Sequence, residues 1–339
     1  MEASTTAVAS GSRPSIGRLP RVRRQDIAFE NGLRLVAFLI LALIAFFFVR
    51  LYVEASPAFQ RFGFFGFVFT NNWDVSREVF GALPLLAGTL ITSATALLIG
   101  VPVAVAAALF VSELCPRRFR GGLTIVLELL AAVPSVVYGL WGVFVLIPNL
   151  QGAEKWFAGT FDFIPFIGGG VVRGPNYFIA GLILAIMILP IVTAISREVI
   201  ATVPLDHKEA ALALGATRWE MIRTAVLPYS RAGISGAAML GLGRAIGETI
   251  AVTLVIGNAP TIGKHLFDQG YTLAAVIANE FGEAANNPLH RAALIAAGLV
   301  LFVLTLIVNA GARYMVRRAS RGTRPAGAAA LGTATGAGG

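Results

Sequence analysis

One cysteine, Cys115, stands among 339 residues. That excludes an internal disulfide and any metal site built from several thiolates. Histidine is almost as scarce, and His207, His265 and His290 lie far apart without metal-ligand spacing. Charge is the third shortage: 13% of residues are charged against 56% hydrophobic, which is too apolar for an ordinary soluble domain. Nucleotide motifs are missing too. Gly257 to His265 reads G-N-A-P-T-I-G-K-H, with the glycines one residue too far apart for a phosphate-binding loop and His265 where Ser or Thr is needed. Gly241 to Gly247 is one residue off a dinucleotide fingerprint and lies inside an apolar run. No nucleophile–base set stands out, so any nucleotide hydrolysis belongs to a partner and the chain binds no cofactor of its own.

What is present is a series of long apolar runs. A bilayer core takes about 20 mostly apolar residues per helix. Six segments qualify, at about 33–53, 84–111, 122–148, 177–196, 232–257 and 292–313. This predicts an all-α membrane protein of six transmembrane helices. Pro102, Pro134 and Pro190 fall inside spans, where neighbouring groups can re-satisfy the freed carbonyls and a kink is expected. Residues 1–30 are small, polar and then basic, and predict a disordered cytoplasmic arm. Residues 31–83 hold the first span, read as uncleaved, and a Phe-rich outer segment. The core runs over 84–318, and 319–339 is a Gly/Ala-rich tail without core-forming residues.

The +9 net charge is best judged by where it lies. With the N-terminus in the cytoplasm, nineteen of the 27 Lys and Arg fall on cytoplasmic segments and seven outside, with Arg244 alone inside a span. That asymmetry predicts N-in, C-in and puts the 197–231 loop in the cytoplasm. Among the outer segments, 54–83 is expected to lie at the headgroups. Residues 149–176 read as too broken to span, and the carboxylates of 279–284 as solvent-facing.

The loop at 204–228 is unusually well punctuated. Asp206 with Glu209 three residues on fits a capping box, and Gly215 fits the end of a short helix. Thr217-Arg218-Trp219-Glu220 is a second capping box, opening a helix that is expected to run to Pro228. Glu209-Ala210-Ala211, Gly215 and Leu227-Pro228, in that spacing, resemble the EAA loop of ABC-importer permeases; Ala225 stands where that family favours Ile. The resemblance implies a coupling element docking on a cytoplasmic ATPase.

Three further stretches sharpen it: Pro134 to Gly142 (P-S-V-V-Y-G-L-W-G), Gly243 to Thr249 (G-R-A-I-G-E-T) and Asn279 to Ala284 (N-E-F-G-E-A). Together they resemble the C-type permeases of the bacterial phosphate-specific transport system, over roughly residues 20–318. The resemblance implies a type I ABC-importer permease fold in the bacterial cytoplasmic membrane. It also implies a second homologous permease, two ATP-binding subunits that carry the ATP, and an extracytoplasmic phosphate-binding protein. A permease for another oxyanion, such as sulfate or molybdate, and a channel or secondary transporter are the competing readings; the capped 204–228 loop speaks against the latter.

Within the spans, Arg244 and Glu248 are the principal candidates. At i, i+4 on a continuous helix they share a face and can pair. Intramembrane charges face a bundle interior or a wet cavity. Arg244 can offer planar, forked donors to phosphate oxygens, with Glu248 orienting it or tempering its affinity. The other reading is a structural ion pair locking two helices. Gly243 and Gly247 allow close helix approach. Ser135 and Tyr138, near the bend at Pro134, can line a pathway or be satisfied within the bundle. Glu128 reads as a snorkelling or paired acid.

Overall fold

The computed structural model describes residues 24–168 and 172–321, and two compact units are distinguished, Met1–Arg50 and Leu51–Gly339. The described part of the first unit is the front of α1 (Arg24–Phe62). The helix begins inside the segment expected to be a disordered arm, so residues 24–30 are helical; residues 1–23 lie outside the description, as does the tail beyond Arg321.

In the second unit the core is two long helices, α3 (Leu83–Leu109) and α7 (Tyr177–Ala201). Both are apolar over most of their length, and small residues let them come close. A Cβ on Gly181 would sit 2.5 Å from Thr95 Cβ, and one on Gly100 would sit 3.0 Å from the Ile188 side chain. Thr89, Thr92 and Ser93 are buried between helices, each hydroxyl bonded to the carbonyl one turn back. Pro102 and Pro190 sit inside these helices without ending them.

Pro134 acts differently. The expected span over 122–148 is divided into α4 (Arg117–Ala132) and α5 (Ser135–Trp141). A proline disfavours helical geometry in the residue before it, and Val133 is extended at φ −65°, ψ 128°. After α5 a π-helical turn, Gly142–Leu146, leads into α6 (Ile147–Thr160). Residues 149–160, read as loop from sequence, therefore prolong an apolar helical stretch over Ser135–Thr160.

The segment expected at the headgroups has a fold of its own. After α1 come α2 (Phe64–Phe69) and a two-residue hairpin of β1 (Trp73–Asp74) and β2 (Val79–Phe80). Phe67, Trp73 and Phe80 are buried, and Phe80 stacks on His290 at 5.3 Å. Trp73 Nε1 donates to Glu280 Oε2 at 3.0 Å, which His290 Nε2 also meets at 2.9 Å. Glu280 thus ties the hairpin to α12 (Leu273–Glu280) and α13 (Pro288–Arg321), contrary to the expected solvent-facing role; Glu283 is exposed as expected.

Among the described residues, five helices are long and apolar enough to cross a membrane: Ala28–Phe62, Leu83–Leu114, Ser135–Thr160, Tyr177–Ala201 and Pro288–Tyr314. The expected span at 232–257 is not among them, because it is interrupted.

The close α3–α7 approach gives a direct test. Gly181→Leu should sharply reduce the folded protein in membranes, whereas Gly121→Leu, with open space around its Cβ, should leave abundance and thermal midpoint unchanged. Equal behaviour of the two variants would contradict the packing described.

Candidate functional site

The interruption lies where the sequence places its intramembrane charges. α10 (Leu227–Gly247) ends at Gly247; Glu248 is extended at φ −71°, ψ 129°, and α11 (Ile250–Val255) restarts after Thr249. The i, i+4 relation between Arg244 and Glu248 is therefore broken, and the pair that a continuous helix would allow is not formed. Among the described residues, no hydrogen bond or ion pair reaches the Arg244 side chain, which is exposed. It sits in the last turn of α10, where the negative end of the helix favours a cation. Glu248 Oε1 lies 3.5 Å from the Ala251 amide, at the start of α11.

The two breaks meet. α5, which follows the Pro134 break, packs on α11, which follows the Glu248 break. The contact needs glycine: a Cβ on Gly139 would lie 2.7 Å from Leu254 Cδ1 and 3.0 Å from Ala251 Cα, and one on Gly142 would meet Val255. Tyr138 is buried here and within electrostatic reach of Arg244. Its hydroxyl donates to the Leu130 carbonyl at 2.8 Å, sharing that acceptor with the Val133 amide, which reaches it at 3.4 Å. The Tyr138 hydroxyl is thus hydrogen-bonded within the bundle. Ser135 is half-buried in the first turn of α5, and Glu128 is exposed on α4.

Among the described residues, no other helix packs closely on Gly243 and Gly247. Nothing lies within 4 Å of a Cβ on either. They line a groove of about 930 Å³ against α13, with Gly298, Phe302, Asn309 and Arg313 among the other walls.

The 204–228 loop folds as helix, turn, helix, with three departures in detail. α8 (Leu205–Ala213) starts after Pro204, so Asp206 lies in the first turn and is not the N-cap. It ends as expected: Gly215 has φ 86°, its amide bonds to Leu212 O at 3.0 Å, and the Ala216 amide bonds to Ala211 O at 3.2 Å. That is a Schellman ending. The capping box at Thr217 is present. The Glu220 amide bonds to Thr217 Oγ1 at 3.3 Å, and Glu220 Oε2 accepts from the Thr217 amide at 2.7 Å. The Thr217 amide first, then its hydroxyl, hold the exposed Glu220 carboxyl below the usual carboxylate range. The box therefore acts fully above that range and is lost as pH falls through the lowered value.

The second departure is that α9 (Arg218–Met221) does not stop before Pro228. A π-helical turn over Ile222–Val226 carries it into α10, with Pro228 in the first turn. The Leu227 amide bonds to Ile222 O, five residues back. The widened turn accommodates the missing Pro228 donor without a break. The third is that the loop is firmly mounted. Met221, Ile222 and Val226, with Ala211 and Leu227, pack on Ala108, Leu109, Ile200 and Val203 at the ends of α3 and α7. Lys208 Nζ meets Glu113 Oε1 at 2.6 Å, both side chains largely buried. Glu209, Ala210 and Pro228 are exposed, and Leu205, Leu212, Leu214 and Trp219 present apolar surface, Leu214 at 90% exposure.

Two polar residues escaped the sequence reading. Glu154 on α6 is buried, and its Oε1 accepts from Asn176 Nδ2 at 3.1 Å; Asn176 Oδ1 in turn caps α7 through the Ile179 amide at 2.8 Å. An acid in a stretch read as loop carried no signal. The Asn at the head of an apolar run, an N-cap residue type, was the available clue.

The family described as "Binding-protein-dependent transport system inner membrane component" matches residues 100–321. The chain is 45% identical to the "Phosphate transport system permease protein PstC" of Mesorhizobium japonicum, over 86% of this chain and 90% of that protein. It is 40% identical to that of Pasteurella multocida, covering 86% and 92%, and 45% identical to "PstC 2" of Mycobacterium tuberculosis, covering 78% and 83%. A bacterial ABC transporter involved in the import of the acidic polysaccharide alginate shares the fold at a TM-score of 0.58 and 19% identity, over 87% of this chain and 99% of that one.

The Gly215 turn yields a second test. Gly215→Ala puts a Cβ on a left-handed residue at a cost of about 1–2 kcal/mol. Amide exchange over 211–217 should quicken while the α3–α7 core stays protected. Unchanged exchange would mean the turn is not held as described.

Proposed function

Since this chain belongs to the binding-protein-dependent inner membrane transport components, and among them to the phosphate permeases, we propose that it forms the path for phosphate and is driven through its 204–228 loop. It is a permease subunit of an ABC phosphate importer in the cytoplasmic membrane. The proposal concerns how its residues do this work.

The observation that carries it is Arg244, unpaired among the described residues. A guanidinium held in a structural ion pair is spent; one left free where two broken helices meet can receive an anion. Its forked donors suit phosphate oxygens. Glu248, on the other side of the break, keeps the hold weak enough for release, since a pathway ion has to leave. Ser135 adds a hydroxyl at the neighbouring break. Tyr138 shapes the site and is anchored on the end of α4 through the Leu130 carbonyl.

The chain has six crossings in this reading, N-in and C-in, with the broken α4–α5–α6 run as the third and the broken α10–α11 run as the fifth. The exposed Glu209, Leu212, Leu214 and Trp219 face receives one of two ATP-binding subunits. ATP stays on those subunits; this chain neither binds it nor catalyses a reaction. A second, homologous permease completes the pathway and covers the open Gly243–Gly247 face. An extracytoplasmic binding protein delivers phosphate. Closure of the ATPase dimer displaces α8 and α9, and the Lys208–Glu113 pair and the apolar mount carry that displacement to α3 and α7 as a rigid-body shift between two states. Permeases for sulfate or molybdate would suit the same guanidinium, but the curated relatives compared above are named for phosphate.

Uptake of radiolabelled phosphate by cells lacking this chain tests the reading. Wild type should restore uptake in the presence of excess sulfate. Arg244→Ala, at equal membrane abundance, should lower uptake at least tenfold. Glu209→Lys should abolish it and release the ATPase from the purified complex. Full uptake with Arg244→Ala would remove Arg244 from the pathway.

A further inference from the structure

The stretch rejected above as a nucleotide loop folds into a polar pocket. Gly257 and Asn258 both have positive φ, 95° and 53°, and turn the chain sharply after α11. The Gly270 amide bonds to Ile256 O at 3.1 Å and the Ala259 amide to Gly270 O at 3.0 Å, closing the loop on itself. Tyr177, at the head of α7, holds it from below: its amide bonds to Asp268 O at 3.1 Å, and its hydroxyl lies 3.4 Å from the Gly263 amide. The result is a cavity of about 310 Å³, lined among others by Arg173, Thr261, Lys264, His265, Asp268 and Gln269.

Its chemistry is that of an oxyanion receptor. Two permanent cations, Arg173 and Lys264, face one carboxylate, and both are exposed at the rim. His265 and Gln269 add hydrogen-bonding groups. Asp268 Oδ2 is engaged by the His265 amide at 2.9 Å and by His265 Nδ1 at 3.3 Å. Asp268 Oδ1 accepts no hydrogen bond among the described residues. A carboxylate in such a pocket repels an oxyanion with no proton and accepts a hydrogen bond from one that keeps a proton. At neutral pH phosphate keeps at least one; sulfate keeps none.

The location fits a station on the route. The pocket lies at one end of α11 and the Glu248 break at the other, six helical residues apart, which is about 9 Å at 1.5 Å per residue. In the N-in orientation the pocket end is extracytoplasmic.

We propose that this pocket, walled by Arg173, Lys264, His265 and Asp268, is a second phosphate site, which takes protonated phosphate at the outer face before it reaches Arg244. The proposal rests on the importer reading and its orientation. It adds a site in the permease itself that separates phosphate from fully ionised oxyanions.

The single cysteine of the chain, Cys115, is buried, so an introduced thiol reports without interference from within this chain. Thr261→Cys places one at the exposed rim while keeping every charged wall. The assembled transporter carrying it, reconstituted in nanodiscs without the binding protein, is treated with a membrane-impermeant thiol reagent, and labelling of this chain is read by mass spectrometry. Inorganic phosphate should slow labelling at least fivefold and saturably, sulfate less than twofold. Adding Arg173→Ala should abolish protection, and Asp268→Asn should let sulfate protect as phosphate does. Equal slowing by any salt, or none by phosphate, overturns the proposal. In a second arm with the binding protein added, protection by that protein but not by phosphate also overturns it and makes the pocket a docking face. Uptake by the Thr261→Cys transporter in cells, measured in parallel, keeps failure of the pocket distinct from failure of the importer reading. Labelling in intact cells shows whether residue 261 faces outward, and its absence there overturns the outer-face assignment.

Discussion

A helix that stops inside a bilayer leaves amides and carbonyls with no water to meet them, and the candidate site depends on how two such stops are met. One stop is dictated by Pro134, the other falls at Glu248. Each finds a partner of its own: the Tyr138 hydroxyl on the Leu130 carbonyl, and the Glu248 carboxylate near the Ala251 amide. The restarted helices, α5 and α11, then pack on each other at Gly139 and Gly142. Because Glu248 serves the restart of α11, it is not held in an i, i+4 pair with Arg244. The free guanidinium follows from the backbone break and needs no further device.

The same economy governs the 204–228 loop. For the coupling role proposed above, a loop has to be stiff within itself and firmly attached to what it moves. The Schellman turn at Gly215 and the capping box at Thr217 supply stiffness. The apolar mount on α3 and α7 and the Lys208–Glu113 pair supply attachment. Among the described residues, nothing buries the exposed Leu212, Leu214 and Trp219 face, which is the form a docking surface takes.

Local features were legible in the sequence. Gly215 and the Thr217 box act through residues three apart, and apolar length alone identifies α1, α3, α7 and α13. The family follows from short motifs in register. Legibility failed where a feature depends on distant residues. Glu280 looked like a surface acid until Trp73 and His290 were brought to it from elsewhere in the chain. Residues 149–160 looked like loop because of their polar members, yet Glu154 among them is buried and meets Asn176 at the head of α7. The break at Glu248 has no proline to announce it. A run of apolar residues and a G-R-A-I-G-E-T motif read equally well as one helix, and on that reading Arg244 and Glu248 become neighbours. Apolar length also suggested six spans, whereas five described helices meet that standard; the missing one is the run that breaks.

The central claim is therefore about a pair that does not form, and a charge swap tests it most directly. Arg244→Glu and Glu248→Arg are made singly and together, at matched membrane abundance, and phosphate uptake is measured. If Arg244 is free and serves the ion, the double variant stays as inactive as Arg244→Glu alone, with no coupling between the two sites. Recovery of uptake in the double variant would show that the two charges work as an ion pair, and would contradict the account.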